Sequence, residues 1–351
     1  MSIWRPTLAD GEESQLSFSR AYTISLSPQL IYSRSKLLPA LVSSKVYRQV
    51  EFQAVGSWWV YRPGQGDAAL RRVPSSREDV FADETMTMKS KRSLMKFLRF
   101  LAQTEDGEGT ENDVPDVSFQ KFLQTNYQVP PELLDPLLSL SLSPNSISET
   151  RTHYAIPRVK RHLESIGVFG PGFGSLLAKW GGGAELCQVA CRACAVGGGV
   201  YALSRGVKRV EASGEGERLQ VTLSDDDEVV KSRYLVGSAW DLPRDVREGD
   251  TAKLVKVSRA VMIVSSPLER LFPATAENGP VPAGAVVIHP GKEGGPPVYL
   301  LMHSSDTGEC PVGQGKKLPR LSSFLRPFFP LHRCSTLMMI IFFTNSYLHC
   351  L

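Results

Sequence analysis

Two residues of segment 72–101 have side chains that could anchor a second protein. Phe81 is a large apolar residue within an acidic helix start, and Arg92 follows eleven residues later in a basic amphipathic helix. An aromatic side chain that fills a pocket, together with an arginine, dominates the energy of many protein interfaces. By pattern alone, however, such a phenylalanine more often lies in a core, and such a basic face is usually only solvated.

A second group of polar residues has helical spacing. Glu185, Gln188 and Arg192 lie three, four and seven residues apart, which places them on one face of a helix. The small residues of Glu185–Val196, followed by Gly197–Gly199, predict that helix.

Catalytic, cofactor and metal sites have little support in the sequence. Gly170–Gly174 does not fit G-x-G-x-x-G, and Gly197–Gly199 precedes a predicted strand rather than a helix, so turns and close packing are the better interpretation. Cysteines 187, 191 and 194 share a helix face, but no fourth Cys or His lies near them in sequence. The six histidines are scattered, and none has a motif spacing to Ser or Cys. We therefore predict no catalytic, cofactor-binding or metal-binding residue.

Two helices must position Phe81 and Arg92. Ser75 and Glu78 form a capping-box pattern that starts a short helix. Thr85 or Thr87 can cap the next helix. In that helix, four apolar residues recur with helical period and predict one buried stripe: Leu94, Phe97, Leu98 and Leu101. Most of its basic residues fall off the stripe: Lys89, Lys91, Arg92, Lys96 and Arg99.

The rest of the chain alternates helical and strand patterns. We predict helices over 22–41, 130–142 and 157–167, within a largely helical region 75–168 that contains an acidic loop at 104–117. Strand patterns follow one another along the chain: 46–52, 57–62, 200–203, 207–211, 219–223, 229–236, 254–264 and 285–289. From about Gly315 the sequence is basic and aromatic, without clear periodicity.

The bulk composition is that of an ordinary globular protein of about two domains, with 351 residues, 42% apolar and 22% charged. A net charge of +4 is too small to indicate nucleic acid. Six cysteines in a chain of this length fit a reducing cytosol better than a secreted disulfide framework. No signal peptide is visible, and the longest apolar run, near Leu337–Phe343, is far shorter than the ~20 residues that span a bilayer.

Segment 72–101 closely resembles the Rab escort proteins (Rab geranylgeranyltransferase component A) of the Rab GDP-dissociation inhibitor superfamily. The similarity runs from about Tyr22 to Cys310 and includes the family's Leu-Tyr-Ser-Arg block as Leu30–Arg34. Glu185–Gln188 resembles the block Gly-Glu-Leu-Pro-Gln, with Cys187 in place of the proline. Ser25 also departs from the family pattern, where an aspartate stands.

The resemblance implies roles for both groups of residues. Phe81 and Arg92 would dock the Rab geranylgeranyltransferase heterodimer, whereas GDP-dissociation inhibitors lack that pair. Glu185 and Arg192, and more weakly Gln188, would contact GDP-bound Rab GTPases. The helical region would shield the geranylgeranyl lipid of prenylated Rab. The implied protein is a non-catalytic accessory component without cofactor, cytoplasmic, with transient peripheral membrane association and no nucleic-acid partner.

The resemblance also implies an α/β (α+β) fold of the GDP-dissociation-inhibitor type, related to FAD/NAD(P)-binding flavoproteins. The predicted organisation is an unstructured N-terminus at 1–21, a Rab-binding domain I formed by 22–74 and 169–310, a helical insert domain II at 75–168 for transferase and lipid, and an atypical tail at 311–351. The family's first βαβ unit, with its Gly-rich fingerprint, is absent from this sequence. We therefore expect a chain truncated at both ends, with Val200, Leu203 and Val236 lacking a neighbour.

Two other functions stay open. The first is a Rab GDP-dissociation inhibitor, which shares the fold and recycles prenylated Rabs. The second is a flavin-dependent oxidoreductase of the amine-oxidase type, against which the missing fingerprint argues.

Overall fold

The computed structural model describes residues 17–64, 69–75, 77–103, 114–213, 218–224, 227–238, 241–243, 257–264, 268–276, 279–291, 295–311 and 337–344. The helices are α1 (Leu37–Ser43), α2 (Arg77–Ala82), α3 (Met88–Gln103), α4 (Phe119–Tyr127), α5 (Leu134–Ser141), α6 (Thr152–Ser165) and α7 (Gly183–Val196). The strands are β1 (Ile31–Tyr32), β2 (Phe52–Tyr61), β3 (Leu70–Arg72), β4 (Ser175–Ala178), β5 (Val207–Ser213), β6 (Arg218–Leu223), β7 (Val229–Ser232), β8 (Val257–Val264), β9 (Gly284–His289), β10 (Val298–His303) and β11 (Leu337–Thr344).

Among the described residues, the main sheet has eight strands, and its order is β1-β4-β2-β9-β10-β11-β8, with β3 paired to β2. Every neighbouring pair is antiparallel except β2 and β9, which run parallel with Trp58 opposite Val286 and Val60 opposite Ile288. These two strands lie at the middle of the sheet, where both of their faces are covered.

Strand β2 shows why the sheet is buried on both faces. Its sequence ends in a continuous apolar run, and successive side chains of a strand point to opposite faces. Trp58 and Val60 belong to the cluster that the helices cover. Trp59 and Tyr61 belong to a second cluster, with Leu271 and Phe272, on the other face. The Trp59 indole N–H donates to the carbonyl of Leu271 at 3.3 Å.

The predicted stripe of α3 is confirmed. Leu94, Phe97 and Leu101 are buried, and Leu98 packs against the same cluster. Phe97 is fully buried and lies 5.4 Å, centroid to centroid, from the ring of Tyr127 at the end of α4. Ring contacts of this kind stabilise a core beyond the burial of their area.

Helix α6 fixes the helical region to the sheet through a buried histidine. The His162 ring lies 4.7 Å from the Trp58 ring on β2 and 5.7 Å from the Tyr32 ring on β1, edge-on to both. Its Nδ1 atom is buried and has no hydrogen-bond partner within the described part of the chain. Burial without a partner disfavours the charged imidazolium and lowers the pKa of His162 to about 4.

Two polar contacts reinforce the same connection. The Tyr299 hydroxyl on β10 donates to the carbonyl of Ser143, just after α5, at 2.9 Å. Burial raises the pKa of Tyr299 well above its ordinary value, so the phenol stays a donor. The guanidinium of Arg62, just after β2, lies 2.5 Å from the carboxylate of Asp135 in α5.

The chain divides into two compact units, Met1–Ala190 with Val257–Leu351, and Cys191–Lys256. The second unit contains the antiparallel sheet β5-β6-β7, with Val221 of β6 buried. Three apolar side chains that were expected to lack a neighbour are strongly exposed there: Val200 (93%), Leu203 (86%) and Val236 (94%).

Three sequence predictions of secondary structure are wrong. Within 22–41 only Leu37–Leu41 are in a helix, because Ile31 and Tyr32 pair with β4. Within 46–52, Val46–Gln49 form a 3-10 turn that follows Lys45 in the left-handed region (φ 61°), and only Phe52 joins β2. Residues 200–203 form no strand, and Ser204 after them has a φ of 62°.

The tail contains a strand for which the sequence predicted no element. Leu337–Thr344 is strand β11, and it pairs with β10 on one side and β8 on the other. The tail therefore contributes to the main sheet, although most of 311–351 lies outside the described residues. The predicted acidic loop at 104–117 also lies mainly outside them.

The remaining helix and strand predictions hold, with shifted ends. They correspond to the second half of β2 and to α5, α6, α7, β5, β6, β7, β8 and β9.

Candidate functional site

Helix α2 presents Phe81 to solvent. The backbone N–H and the hydroxyl of Ser75 both donate to the Asp79 carboxylate, at 2.9 and 2.8 Å. The partner of Ser75 is thus Asp79, whereas the capping-box pattern predicted Glu78. Inside α2, Val80 is buried while Phe81 is 60% exposed. Because exposing a phenyl ring is unfavourable, its exposure favours the interface interpretation over the core interpretation.

Helix α3 is attached to α2 through Lys91. Its ammonium group donates to the carbonyl of Phe81 at 2.7 Å. A carbonyl at the end of a helix lacks an intrahelical partner, so a lysine there satisfies it and complements the helix dipole. Lys91 is only 7% exposed, which corrects its predicted place on the solvated face.

Arg92 follows Lys91 directly and is exposed on α3. The start of this helix is fixed by Thr87, whose Oγ1 accepts from the N–H of Ser90 at 3.1 Å, so Thr87 is the cap that the sequence offered as one of two. One part-buried hydrogen bond therefore connects the end of α2, at Phe81, to the capped helix that carries Arg92.

The second group lies on α7 at the predicted helical spacing. Glu185 is half-buried, and Gln188 and Arg192 are exposed. No residue of α7 is buried. The helix therefore leaves Gln188 and Arg192 accessible to solvent.

The cysteines of α7 are free thiols. Cys187, Cys191 and Cys194 are all exposed. Hydrogen bonds with the side chains of Cys194 and Cys191 raise the pKa of Tyr201. Within the described ranges, no three His, Cys, Asp or Glu side chains are grouped so that they could hold a metal ion.

Close packing accounts for the glycine segment at 170–174. Gly172 has a φ of +80°, and a Cβ atom there would lie 1.9 Å from the carbonyl oxygen of Thr275. A Cβ on Gly174 would lie 2.8 Å from the backbone nitrogen of Ile166. Both positions therefore require glycine for packing of the chain against itself.

The family model described as GDP dissociation inhibitor matches residues 3–279, which is most of the chain. The chain belongs to the GDP dissociation inhibitor family. A crystal structure of the Rab GDI of Plasmodium falciparum has the same fold, with a TM-score of 0.62 at 14% identity over 95% of this chain and 70% of that one. The predicted fold class is confirmed.

Curated relatives place the chain near one branch of the GDP dissociation inhibitor family. Rab proteins geranylgeranyltransferase component A of Candida albicans is 27% identical over 87% of this chain and 47% of its own length. Component A 2 of Homo sapiens is 31% identical over 70% of this chain and 36% of its own length. The chain spans about half the length of the Candida relative. In the part of the chain that the structure describes, no helix is long and apolar enough to cross a bilayer.

The sequence interpretation missed one cluster beside α2. Arg62, Arg71 and Arg72 line a single groove with the apolar side chains of Val60, Met86 and Leu133. Arg62 follows β2, and Arg71 and Arg72 are the last residues of β3. The groove forms because these strands pack against residues as distant in sequence as Leu133, so no spacing along the sequence could have indicated the cluster.

Proposed function

We propose that this chain acts as a Rab escort protein. It binds GDP-bound Rab GTPases, presents them to the Rab geranylgeranyltransferase heterodimer, and shields the attached lipid during delivery to a membrane. The transferase supplies the chemistry, and this chain is a cytoplasmic accessory component with transient peripheral membrane contact.

One observation carries the proposal. Phe81 is 60% exposed in a chain of this family, and the bond from Lys91 fixes it beside the helix that presents Arg92. An exposed aromatic side chain and an exposed arginine on consecutive helices have the composition of an interface hot spot. A GDP-dissociation inhibitor that only recycles Rab needs no such contact with the transferase.

A reconstitution experiment tests the proposal directly. Rab·GDP, the transferase heterodimer and a geranylgeranyl donor should give lipidated Rab only when the 351-residue chain is added. If the chain instead extracts prenylated Rab from membranes and does not bind the transferase, the GDP-dissociation inhibitor alternative is correct. A flavin absorbance band in the purified protein would favour the oxidoreductase alternative.

Rab binding is assigned to α7. Arg192→Ala should weaken binding of Rab·GDP by about 1–3 kcal/mol, as expected for the loss of a charged hydrogen bond, and Glu185→Ala should act in the same direction. Titration calorimetry with Rab·GDP measures the change.

The matched control is Arg233→Ala, because Arg233 is also exposed, in the second compact unit. It should bind Rab·GDP as the parent does, and both variants should keep transferase binding. Unchanged Rab affinity in Arg192→Ala would show that the Rab surface lies elsewhere.

Lipid shielding is assigned to the leucine-rich helical region. In this structure its apolar side chains are buried against one another, among them Leu94, Leu133, Leu134, Leu137 and Leu140. Burying a chain of about twenty carbons at ~0.8 kcal/mol per carbon supplies well over ~10 kcal/mol before costs. That energy is large enough to separate helices, so we propose that lipid enters by displacing part of this core.

A further inference from the structure

The groove beside α2 contains an arginine donor that the fold leaves unused. The cavity is small, about 30 Å³, and lies between the β2–β3 hairpin, the segment around α2, and the turn before α5. That volume admits one small polar group and no larger ligand. Its lining includes the apolar side chains of Val60, Met86 and Leu133, and a low local dielectric strengthens charged contacts.

Two of the three guanidinium groups already have partners. Arg62 pairs with Asp135 at 2.5 Å. Arg71 donates to the Thr85 hydroxyl at 2.5 Å and lies 3.8 Å from the Asp83 carboxylate. These contacts hold the walls of the groove in place.

Arg72 differs from the other two. Its Nε atom is buried and has no hydrogen-bond partner among the described residues. The carboxylate of Glu132, which also lines the groove, accepts from the Ser90 hydroxyl at 2.9 Å. A buried N–H without an acceptor is costly, and native structures seldom retain one unless an acceptor arrives from outside.

We propose that Arg72 binds a carboxylate side chain of the protein that docks on α2. Pro74 and Asp83, which flank α2 in sequence, both line the groove, so a protein seated on the exposed Phe81 lies beside it. A carboxylate matches a guanidinium in charge and can accept two parallel hydrogen bonds. The inference rests on the proposed function, which names the transferase heterodimer as the docked protein.

The test measures the affinity of the 351-residue chain for the transferase heterodimer. Arg72→Met removes the charge and keeps the apolar stem, and it should weaken binding tenfold to a hundredfold. Affinity of the parent should also fall more steeply with salt than affinity of this variant. Arg72→Lys keeps the charge but lacks the Nε–H, so its affinity for the transferase should lie between those of the parent and Arg72→Met.

Thermal unfolding separates binding from structure. Because Nε has no internal partner, Arg72→Met should melt at or above the temperature of the parent. Arg158→Met is the matched control. Arg158 is exposed on α6, and its guanidinium carbon lies 3.6 Å from the centre of the Tyr154 ring. Arg158 does not line the groove, so this variant should bind the transferase as the parent does.

The other outcomes overturn the inference in distinguishable ways. If Phe81→Ala loses binding while Arg72→Met binds like the parent, the groove is not contacted and the proposed function stands. If the parent does not bind the transferase, both the proposed function and the role of Arg72 are wrong. A lower melting temperature in both Arg72 variants shows a structural role. If inorganic phosphate stabilises the parent but not Arg72→Met, and transferase affinity is unchanged, the groove is a site for free anions.

Discussion

Phe81→Ala and Arg92→Ala should each reduce affinity for the Rab geranylgeranyltransferase heterodimer by about 2–4 kcal/mol. Phe81 is 60% exposed, so docking would bury its side chain without disturbing the core of this chain. Arg92 is exposed on the capped helix α3, and its guanidinium would be desolvated against the same partner. Surface plasmon resonance with immobilised transferase measures both losses.

Matched controls are available in the same unit. Phe169 is 56% exposed, and Arg99 is exposed on α3 two turns after Arg92. Phe169→Ala and Arg99→Ala should leave transferase affinity unchanged, and none of the four variants should alter Rab binding. A double variant of Phe81 and Arg92 that binds the transferase like the parent would reject the escort function for this chain.

Acid should destabilise the protein through His162 by about 3 kcal/mol. Burial lowers the pKa of this imidazole from 6.5 to about 4, so the unfolded chain takes up the proton at a higher pH than the folded chain does. The contribution of the neutral His162 to the free energy of unfolding is fully present above about pH 6.5 and is lost as the pH falls from 6.5 towards 4. The difference between the two pKa values corresponds to about 3 kcal/mol.

The physical cause is the position of His162 between Trp58 and Tyr32. An imidazolium there would have a buried Nδ1–H with no acceptor, and the loss would loosen the contact between α6 and the sheet. Urea unfolding from pH 8 to pH 4.5 measures the effect, with His162→Leu as the comparison. The substitution keeps roughly the same volume and costs under about 1.5 kcal/mol at pH 8.

The parent should lose more stability than His162→Leu over that range, because other groups titrate equally in both proteins. Nuclear magnetic resonance gives a direct check, since the His162 ring signal should stay at its neutral position until the pH approaches 4. Equal pH dependence of the two proteins, or titration of this ring near pH 6.5, would show that solvent or an unseen partner reaches it.

Local patterns predicted the elements whose folding depends on their own residues. The apolar stripe of α3 is buried because its residues recur with the helical period and therefore lie on one face of the helix. The aromatic and β-branched residues of 57–62 predicted a strand that is part of β2, and the small-residue segment of α7 ends at glycines as expected. The family also follows from the sequence, because the GDP dissociation inhibitor model matches residues 3–279.

Predictions failed where pairing partners come from far along the chain. Ile31 and Tyr32 join a strand because Leu176 and Ser175 lie beside them, which outweighs the helical pattern of 22–41. Leu337–Thr344 has no strand period, but β8 and β10 offer it two edges. Backbone hydrogen bonds between distant segments leave little trace in a local window.

The sequence by itself determined the family, the apolar stripe of α3, and the residue types available for binding a partner. Only the tertiary structure decided that Phe81 is exposed, that Lys91 holds it beside Arg92, and that Arg72 keeps an unpaired donor in a groove. The physical reason is that exposure and hydrogen-bond satisfaction depend on which distant groups arrive at a position. The spacing of residues along one helix or strand determines which face each side chain occupies. The packing of the whole unit determines which other groups each side chain contacts.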